Sequence, residues 1–276
     1  MSEGLATVAP GDFDYLRAFL RAQSAIVLDQ GKEYLVATRL APLMLNEGYT
    51  SLGDLLHGLR SSQRDLPRKV LEAMTNHETW FYRDFQPFEA LRREVLPRLL
   101  AARGEMKALR FWSAACSTGQ EPYSLAILLR ENFSLPQWNV HILATDISTQ
   151  ALHYARAGRY SQIEVNRGLP ITLLMKYFRG VELDFELVPE VRGSVEFRQL
   201  NLAQPWPDLP RMDVVLLRNV MIYFDVEDRK RILAKLRNCL QPDGVLFLGC
   251  AETTLNLSSE FERISFEKTA YYRVKS

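Results

Sequence analysis

The sequence predicts an α/β domain with a mainly parallel sheet, preceded by a small all-helical domain, and three observations lead there. Residues 11–75 carry apolar side chains at helical spacing and no convincing strand. From residue 108 onward, short β-branched or leucine-rich runs alternate with helical stretches, the pattern of a sheet covered by crossover helices. One of those runs, Phe111–Ala114, ends in a small polar loop that opens directly onto a helix after Gly119. A chain of 276 residues fits two domains, at roughly 100–200 residues each.

In the first part, Phe13, Leu16, Phe19 and Leu20 form one apolar stripe. Lys32–Met44 reads as a second helix with Leu35, Leu40 and Leu43 inward, which Pro42 kinks or ends. Ser51 with Asp54 makes a capping-box-like start for a third helix that buries Leu52, Leu55, Leu56 and Leu59. Leu66–Met74 is a short fourth helix. Residues 1–75 are therefore expected as the helical domain, and 76–104 as a linker with a connecting helix, Phe85–Ala102, interrupted by Pro97. Residues 105–276 are expected as the α/β domain.

Strands are expected at Leu109–Ala114, Val140–Thr145, Val195–Leu200, Asp213–Leu217 and Val245–Gly249, with Phe261–Glu267 and Ala270–Val274 as an antiparallel edge hairpin. Residues 158–194 break the alternation. Phe185–Val188 and Val195–Arg198 flank a turn-prone Pro-Glu-Val-Arg-Gly-Ser, which predicts a small antiparallel insertion at about 160–198.

Composition narrows the function. A net charge of +1 gives no electrostatic case for nucleic acid or an anionic membrane. Cys116, Cys239 and Cys250 have no paired spacing, so neither a disulfide framework nor a zinc site is expected, and a cytoplasmic location is. His57, His77, His141 and His153 show no metal-ligand spacing, so no metal is expected. The first ten residues read as no signal peptide, and no apolar run approaches the ~18 residues of a membrane span.

The loop after Phe111–Ala114 suits a nucleotide-like ligand without phosphates. Gly119 permits a tight turn or close backbone approach, Pro122 suits a first helical turn, and the N–H groups of that helix start face outward for a ligand. A dinucleotide site would place about three glycines here; this loop has one. Asp146 ends the second strand, where a carboxylate either accepts both hydroxyls of a ribose or caps the next helix, and beside the Gly119 loop the ribose reading is preferred.

Glu121 either meets a cationic amino group or favours the helix N-terminus through its dipole. Asn201 and Leu202 follow the third strand, placed to read an adenine edge or to make an ordinary turn. Arg218 and Asn219 follow the fourth strand, and core packing does not explain them. Asn76-His-Glu-Thr-Trp-Phe-Tyr-Arg83 is too rich in hydrogen-bonding and aromatic side chains for a mere linker.

As a set these residues resemble the CheR-type enzymes, the glutamate O-methyltransferases of bacterial chemotaxis receptors. The resemblance spans nearly the whole chain and rests on residues 76–83, 111–124, Ala-Thr-Asp-Ile-Ser at 144–148, Ala-Arg-Ala-Gly-Arg-Tyr at 155–160, Arg-Asn-Val-Met-Ile-Tyr-Phe-Asp at 218–225 and Gln-Pro-Asp-Gly at 241–244. It implies an S-adenosylmethionine-dependent methyltransferase fold with a terminal hairpin, a small inserted β-subdomain and a receptor-facing helical domain. It also implies that Thr79, Arg83, Glu121, Asp146, Asn201, Leu202, Arg218 and Asn219 surround the cofactor. The family's asparagine normally stands two residues before the threonine; here His77 holds that place and Asn76 precedes it, so either one meets the cofactor.

The implied reaction moves the sulfonium methyl onto glutamates of the cytoplasmic domain of chemoreceptors and releases S-adenosylhomocysteine. It requires no general base. Arg83 is expected to steer a carboxylate and Tyr223 to frame the transfer cleft. Val181–Ser194 is shorter than in relatives that dock on a receptor's C-terminal peptide, so independence from such a tether is expected. The helix Lys32–Met44 is also less basic than the family's receptor-facing helix. A methyltransferase of another substrate and a non-catalytic cofactor-sensing scaffold remain as alternatives. Oligomeric state stays open, with a monomer as the default.

Overall fold

The computed structural model describes residues 9–61 and 65–275, so that most of the first ten residues, read above for a leader, and residues 62–64 lie outside the described part. The chain divides into two compact units. One takes in the described residues up to Asn76 with Leu202–Pro205 and Tyr223–Asp228, and the other His77–Asn201, Trp206–Ile222 and the described residues from Arg229.

In the first unit, helices Pro10–Ser24, Glu33–Glu47, Leu52–Arg60 and Leu66–Met74 bury one core that includes Phe13, Leu16, Leu20, Leu55, Leu56, Leu59 and Val70. Ser51 caps the third helix by accepting the Asp54 N–H at 3.1 Å, and its hydroxyl donates to the Asp54 carboxylate at 2.7 Å. The second helix departs from expectation. It runs through Pro42 to Glu47 and ends at Gly48 in the left-handed region. Val36 and Leu40 are its buried residues, while Leu35 and Leu43 are half-buried. Pro42 is exposed, so its ring meets water rather than core. Ile26 bridges Phe224, the Val27 N–H donates to the Tyr223 carbonyl at 2.9 Å, and Arg21 pairs with Asp225.

Among its described residues the second unit is built on ten strands: β1 (Ala108–Ala114), β2 (Asn139–Asp146), β3 (Arg159–Ser161), β4 (Phe178–Val181), β5 (Asp184–Leu187), β6 (Val195–Gln199), β7 (Met212–Leu217), β8 (Leu240–Leu248), β9 (Phe261–Phe266) and β10 (Thr269–Val274). The main sheet has the order β6-β2-β1-β7-β8-β10-β9. Its first five members are parallel, and β10 and β9 add the expected antiparallel hairpin. The chain winds outward from β1 through β2 to β6, then returns to β7 on the other side of β1. That reversal puts a topological switch point at the carboxyl ends of β1 and β7, the place where open α/β sheets bind ligands.

The insertion is a three-stranded antiparallel sheet, β3-β5-β4. The expected pairing of Phe185–Val188 with Val195–Arg198 does not occur. The turn-prone Pro-Glu-Val-Arg between them forms a short helix, Pro189–Arg192, and Val195–Gln199 joins the main sheet beside β2. Phe185 pairs with Gly180 and Tyr160 instead. The connecting helix also differs: Gln86–Ala90 and Leu96–Ala102 are α-helical, but Leu91–Val95 is a π turn in which the Leu96 N–H reaches the Leu91 carbonyl. The wider turn lies where the Pro97 ring would crowd the previous turn, so the run continues rather than breaks.

Among the described residues no helix is long and apolar enough to cross a membrane, and no group of three or more His, Cys, Asp or Glu is arranged to hold a metal ion.

Near the amino ends of β1, β7 and β8, Arg103 joins three elements. Its Nε donates to Asp213 at 2.9 Å and its terminal nitrogens grip Asp243, while the other Asp213 oxygen accepts the Arg110 N–H at 2.8 Å. Arg103 holds the Asp243 carboxyl below the usual carboxylate range. This contribution is present above the unfolded value and is lost as pH falls through the folded one. Asp213 is buried. Arg103→Ala should therefore strand its charge and lower stability by about 3–5 kcal/mol, read from urea unfolding at pH 7; an unchanged midpoint would contradict this network.

Candidate active site

The switch point is lined by the loop after β1. Ala115, Ser117 and Gly119 adopt left-handed φ values of 57, 52 and 94°. Left-handed residues at alternate positions curl successive N–H groups inward, as in loops that hold anionic groups. The Ser117 N–H donates to one Asp146 oxygen at 2.8 Å and the Ser148 N–H to the other at 2.9 Å. Asp146 thus stitches the loops after β1 and β2 together, and Ser148, accepting the Ala151 N–H, is the helix cap. Burial pushes the Asp146 carboxyl above its usual range, opposed by these N–H donors and by nearby His77.

The single glycine has a packing reason. A Cβ on Gly119 would lie 2.8 Å from the Ala155 Cβ and 3.1 Å from the Tyr160 hydroxyl. The close approach expected of Gly119 is therefore made by the helix Thr149–Ala157 and by β3. The Tyr160 hydroxyl donates to the Thr118 carbonyl at 2.8 Å and holds the loop from that side.

Arg218, the residue after β7, is the centre of the arrangement. Its side chain is 1% exposed. Nη1 donates to Glu121 at 2.8 Å, and Nη2 donates to the Arg83 carbonyl at 2.7 Å and to Asp84 at 2.9 Å. The second Glu121 oxygen accepts the Ser113 hydroxyl at 2.8 Å. One guanidinium therefore ties β1, β7, the helix Gln120–Asn132 and the segment that ends at Phe85.

That segment is strained and braced. Tyr82, Asp84 and Phe85 all have positive φ, a conformation that persists only where the surroundings over-determine it. The Tyr82 N–H donates to Ser124 at 2.9 Å, and the Ser117 hydroxyl donates to the His77 carbonyl at 2.8 Å. The Arg83 guanidinium lies 4.4 Å from the Trp80 ring centre and that of Arg167 3.9 Å, with Arg167 also paired to Glu78. Gly168, at φ 85°, has no room for a side chain, since a Cβ would lie 2.1 Å from the Phe81 carbonyl. The insertion thus shapes residues 78–83.

Asn219 is left-handed as well, with its N–H held by Glu252 at 2.8 Å. Asn201 follows Leu200, whose N–H donates to the Asp146 carbonyl at 3.0 Å, and Thr79 and Asn201 are half-buried. Asn76, Leu202 and Tyr223 belong to the helical unit, where the Asn76 amide donates to the Tyr223 hydroxyl at 2.9 Å. His77 belongs to the unit that carries Asp146. Sequence reasoning missed Asp84, Gly168 and Glu252. Glu252 carries a readable signal, a carboxylate just past the carboxyl end of a strand, as Asp146 does.

Among the described residues, three buried polar atoms here have no hydrogen-bond partner: Arg83 Nε, Arg218 Nε and Asn219 Oδ1. Leaving a buried polar atom unpaired costs about 1–3 kcal/mol, so such a cluster marks a place for a ligand. Two donors and an acceptor suit a group that has both a carboxylate and an ammonium, and Asp146 keeps lone pairs for hydroxyls. An amino-acid-bearing nucleoside fits this set.

Residues 77–270 match the CheR methyltransferase SAM binding domain, and residues 11–75 match the CheR methyltransferase all-alpha domain. The chain belongs to the CheR methyltransferase family. Its activity is S-adenosylmethionine-dependent methyl transfer in chemotaxis. It is 40% identical to chemotaxis protein methyltransferase 1 of Pseudomonas aeruginosa over 274 residues, 98% of this chain and 100% of that one. It is 36% identical to chemotaxis protein methyltransferase Cher2 of Pseudomonas putida over 271 residues, 96% of this chain and 98% of that one. A solved TehB-like SAM-dependent methyltransferase of Corynebacterium glutamicum is 14% identical with a TM-score of 0.39, over 68% of this chain and 100% of that one, too distant to bear on the chemistry.

Asp146 gives this CheR-family methyltransferase a testable pH dependence. An acid whose folded pKa is raised costs stability as pH rises from about 3.9 through the folded value. Ligand hydroxyls that donate to the ionised form follow the opposite course, binding more tightly as pH rises through that range. Calorimetry with S-adenosylhomocysteine should show affinity rising as pH is raised from below the usual carboxylate range through the folded value, and Asp146→Asn should bind weakly with a flat profile. A flat wild-type profile would remove Asp146 from the binding set.

Proposed function

We propose that this CheR-family methyltransferase methylates glutamate side chains on the cytoplasmic domain of chemoreceptors, leaving glutamyl methyl esters and S-adenosylhomocysteine. The observation that carries the reading is that Glu121 and Asp84 are both committed to Arg218, which leaves neither available as a base. A glutamate needs none: with a reference pKa of about 4.3 it is ionised at neutral pH. S-adenosylmethionine supplies a methyl group activated on a sulfonium. One glutamate oxygen forms the O–CH3 bond as the C–S bond breaks, the electron pair goes to sulfur, and no proton moves.

The residues of this chain bind and orient. Asp146 accepts the ribose hydroxyls, Asn201 and Leu202 face the adenine, and Asn219 Oδ1 accepts from the ammonium. The Arg83 and Arg218 Nε atoms are donors for a carboxylate, Arg83 steering the cofactor's or the substrate's. Gly119, Glu121 and Thr79 complete the cofactor set through the loop and the braced segment. His77 is preferred to Asn76 as the imidazole beside Asp146, with Asn76 holding the Tyr223 hydroxyl at the transfer cleft. Opposite charges vanish as carboxylate and sulfonium combine, so alignment in a dry site is the main resource, on the order of 7–11 kcal/mol.

The same reading assigns residues 1–75 to receptor contact, 76–104 to the linker and connecting helix, and 105–276 to methyl transfer, in a cytoplasmic monomer. Independence from a receptor tether is supported by the tight turn at Glu182 and Leu183, the two residues between β4 and β5.

Labelled methyl transfer to purified receptor should give a base-labile product, and a base-stable product would exclude the ester. In the same assay Arg83→Ala should lose roughly tenfold to a hundredfold in kcat/KM, the worth of one hydrogen bond to a charged group. Unchanged turnover would remove Arg83 from the site.

A further inference from the structure

Glu252 belongs to none of the motifs that carry the family resemblance, yet it gathers more backbone than any other side chain near the site. It stands in the turn after β8, where its own N–H donates to the Gly249 carbonyl at 2.9 Å. Its Oε2 accepts the N–H of Asn219 at 2.8 Å and of Gly249 at 2.7 Å. Its Oε1 accepts the N–H of Met221 at 2.7 Å and of Ile222 at 3.3 Å. A carboxylate offers about four lone-pair sites, and all four are used. The packing around it is equally full: a Cβ on Gly249 would lie 2.8 Å from the Asn219 N, the Asn219 Nδ2 and the Glu252 Oε2.

Asn219 has φ 59°, and its Oδ1 is one of the unpartnered buried atoms. Its backbone direction is set by Glu252 on one side and by the buried Arg218 on the other. We infer that Glu252 is the positioning residue for Asn219, gathering four backbone N–H groups so that the Asn219 amide oxygen is aimed at the ammonium of the cofactor's amino-acid end. The inference deepens the proposed function and rests on its placement of Asn219 against that ammonium.

The chemistry makes the usual conservative replacement a severe one. A glutamine keeps the shape but has one acceptor oxygen, so two of the four N–H groups face an NH2 that can only donate. An aspartate keeps four acceptor sites and the charge but draws them back by one methylene.

The test compares two ligands on the full-length protein by calorimetry: S-adenosylhomocysteine, which has the amino-acid end, and 5′-methylthioadenosine, which lacks it. Glu252→Gln should weaken S-adenosylhomocysteine at least tenfold and leave methylthioadenosine within about twofold, and Glu252→Asp should recover part of the loss. Asn219→Ala should show the same ligand selectivity, and adding Glu252→Gln to it should cost little more, since coupled residues are non-additive. If Glu252→Gln does not fold, Glu252→Asp carries the same two-ligand comparison. Equal loss of both ligands would mean a general collapse of the site and overturn the inference. A selective loss in Asn219→Ala with none in Glu252→Gln would overturn it while sparing the placement of Asn219. An Asn219→Ala protein that binds both ligands normally would overturn both.

Discussion

The site depends on one buried positive charge. Arg218 is withdrawn from water, and an isolated guanidinium there would be prohibitively costly. It is tolerated because Glu121 and Asp84 neutralise it and the Arg83 carbonyl completes its donors. The dependence also runs the other way. Tyr82, Asp84 and Phe85 hold positive φ values that cost of order 1–3 kcal/mol each, and Arg218 grips that run at the Arg83 carbonyl and the Asp84 carboxylate. Removing the charge would release the strained segment and leave two carboxylates unpaired in the same step.

A site arranged in this way suits a reaction that needs alignment more than proton transfer. Its acidic groups are spent on structure: Glu121 and Asp84 on Arg218, Asp146 on two loop N–H groups, Glu252 on four. What is left for a ligand is a small set of unpartnered atoms on braced backbone. Preorganised donors and acceptors of this kind cost no rearrangement when the ligand arrives. The insertion belongs to the same scaffold, since Gly168 and Arg167 pack against Trp80 and Phe81.

Local features of the sequence were read well. Strand periodicity located β1, β2, β6, β7, β8 and the terminal hairpin, because each carries apolar residues either in a run or spaced between polar ones, and that spacing is itself the physical cause of the strand. Leu52–Leu59 was legible for the same reason, with Ser51 as its cap. The readings that failed were those needing a partner's identity. Phe185–Val188 looked like the mate of the nearby Val195–Arg198, but β5 pairs with β4 and β3, and β6 with β2. Pro42 was read as a kink or an end and Pro97 as an interruption, and at both places the helical run continues. Within the site, Gly119 was visible as a turn glycine, Asp146 as a carboxylate at a strand end and Arg218 as a residue that packing does not explain, but their contacts were not. Arg218 meets Glu121 across 97 positions and Asp84 across 134, distances over which sequence spacing says nothing. Gly168 was missed because it packs on backbone atoms of another loop, which leave no trace in residue type, and Glu252 because its place after β8 does not name the N–H groups it accepts.

The most direct test of this account is Arg218→Lys, with S-adenosylhomocysteine affinity measured by calorimetry alongside far-UV circular dichroism. Lysine keeps the positive charge but replaces a planar fork of donors with a compact point charge that cannot reach Glu121, Asp84 and the Arg83 carbonyl together. If the guanidinium geometry holds the site, the variant should keep its secondary structure and lose affinity on the order of a hundredfold. Affinity within about twofold of wild type would show that charge alone suffices there and would contradict the central role given to Arg218.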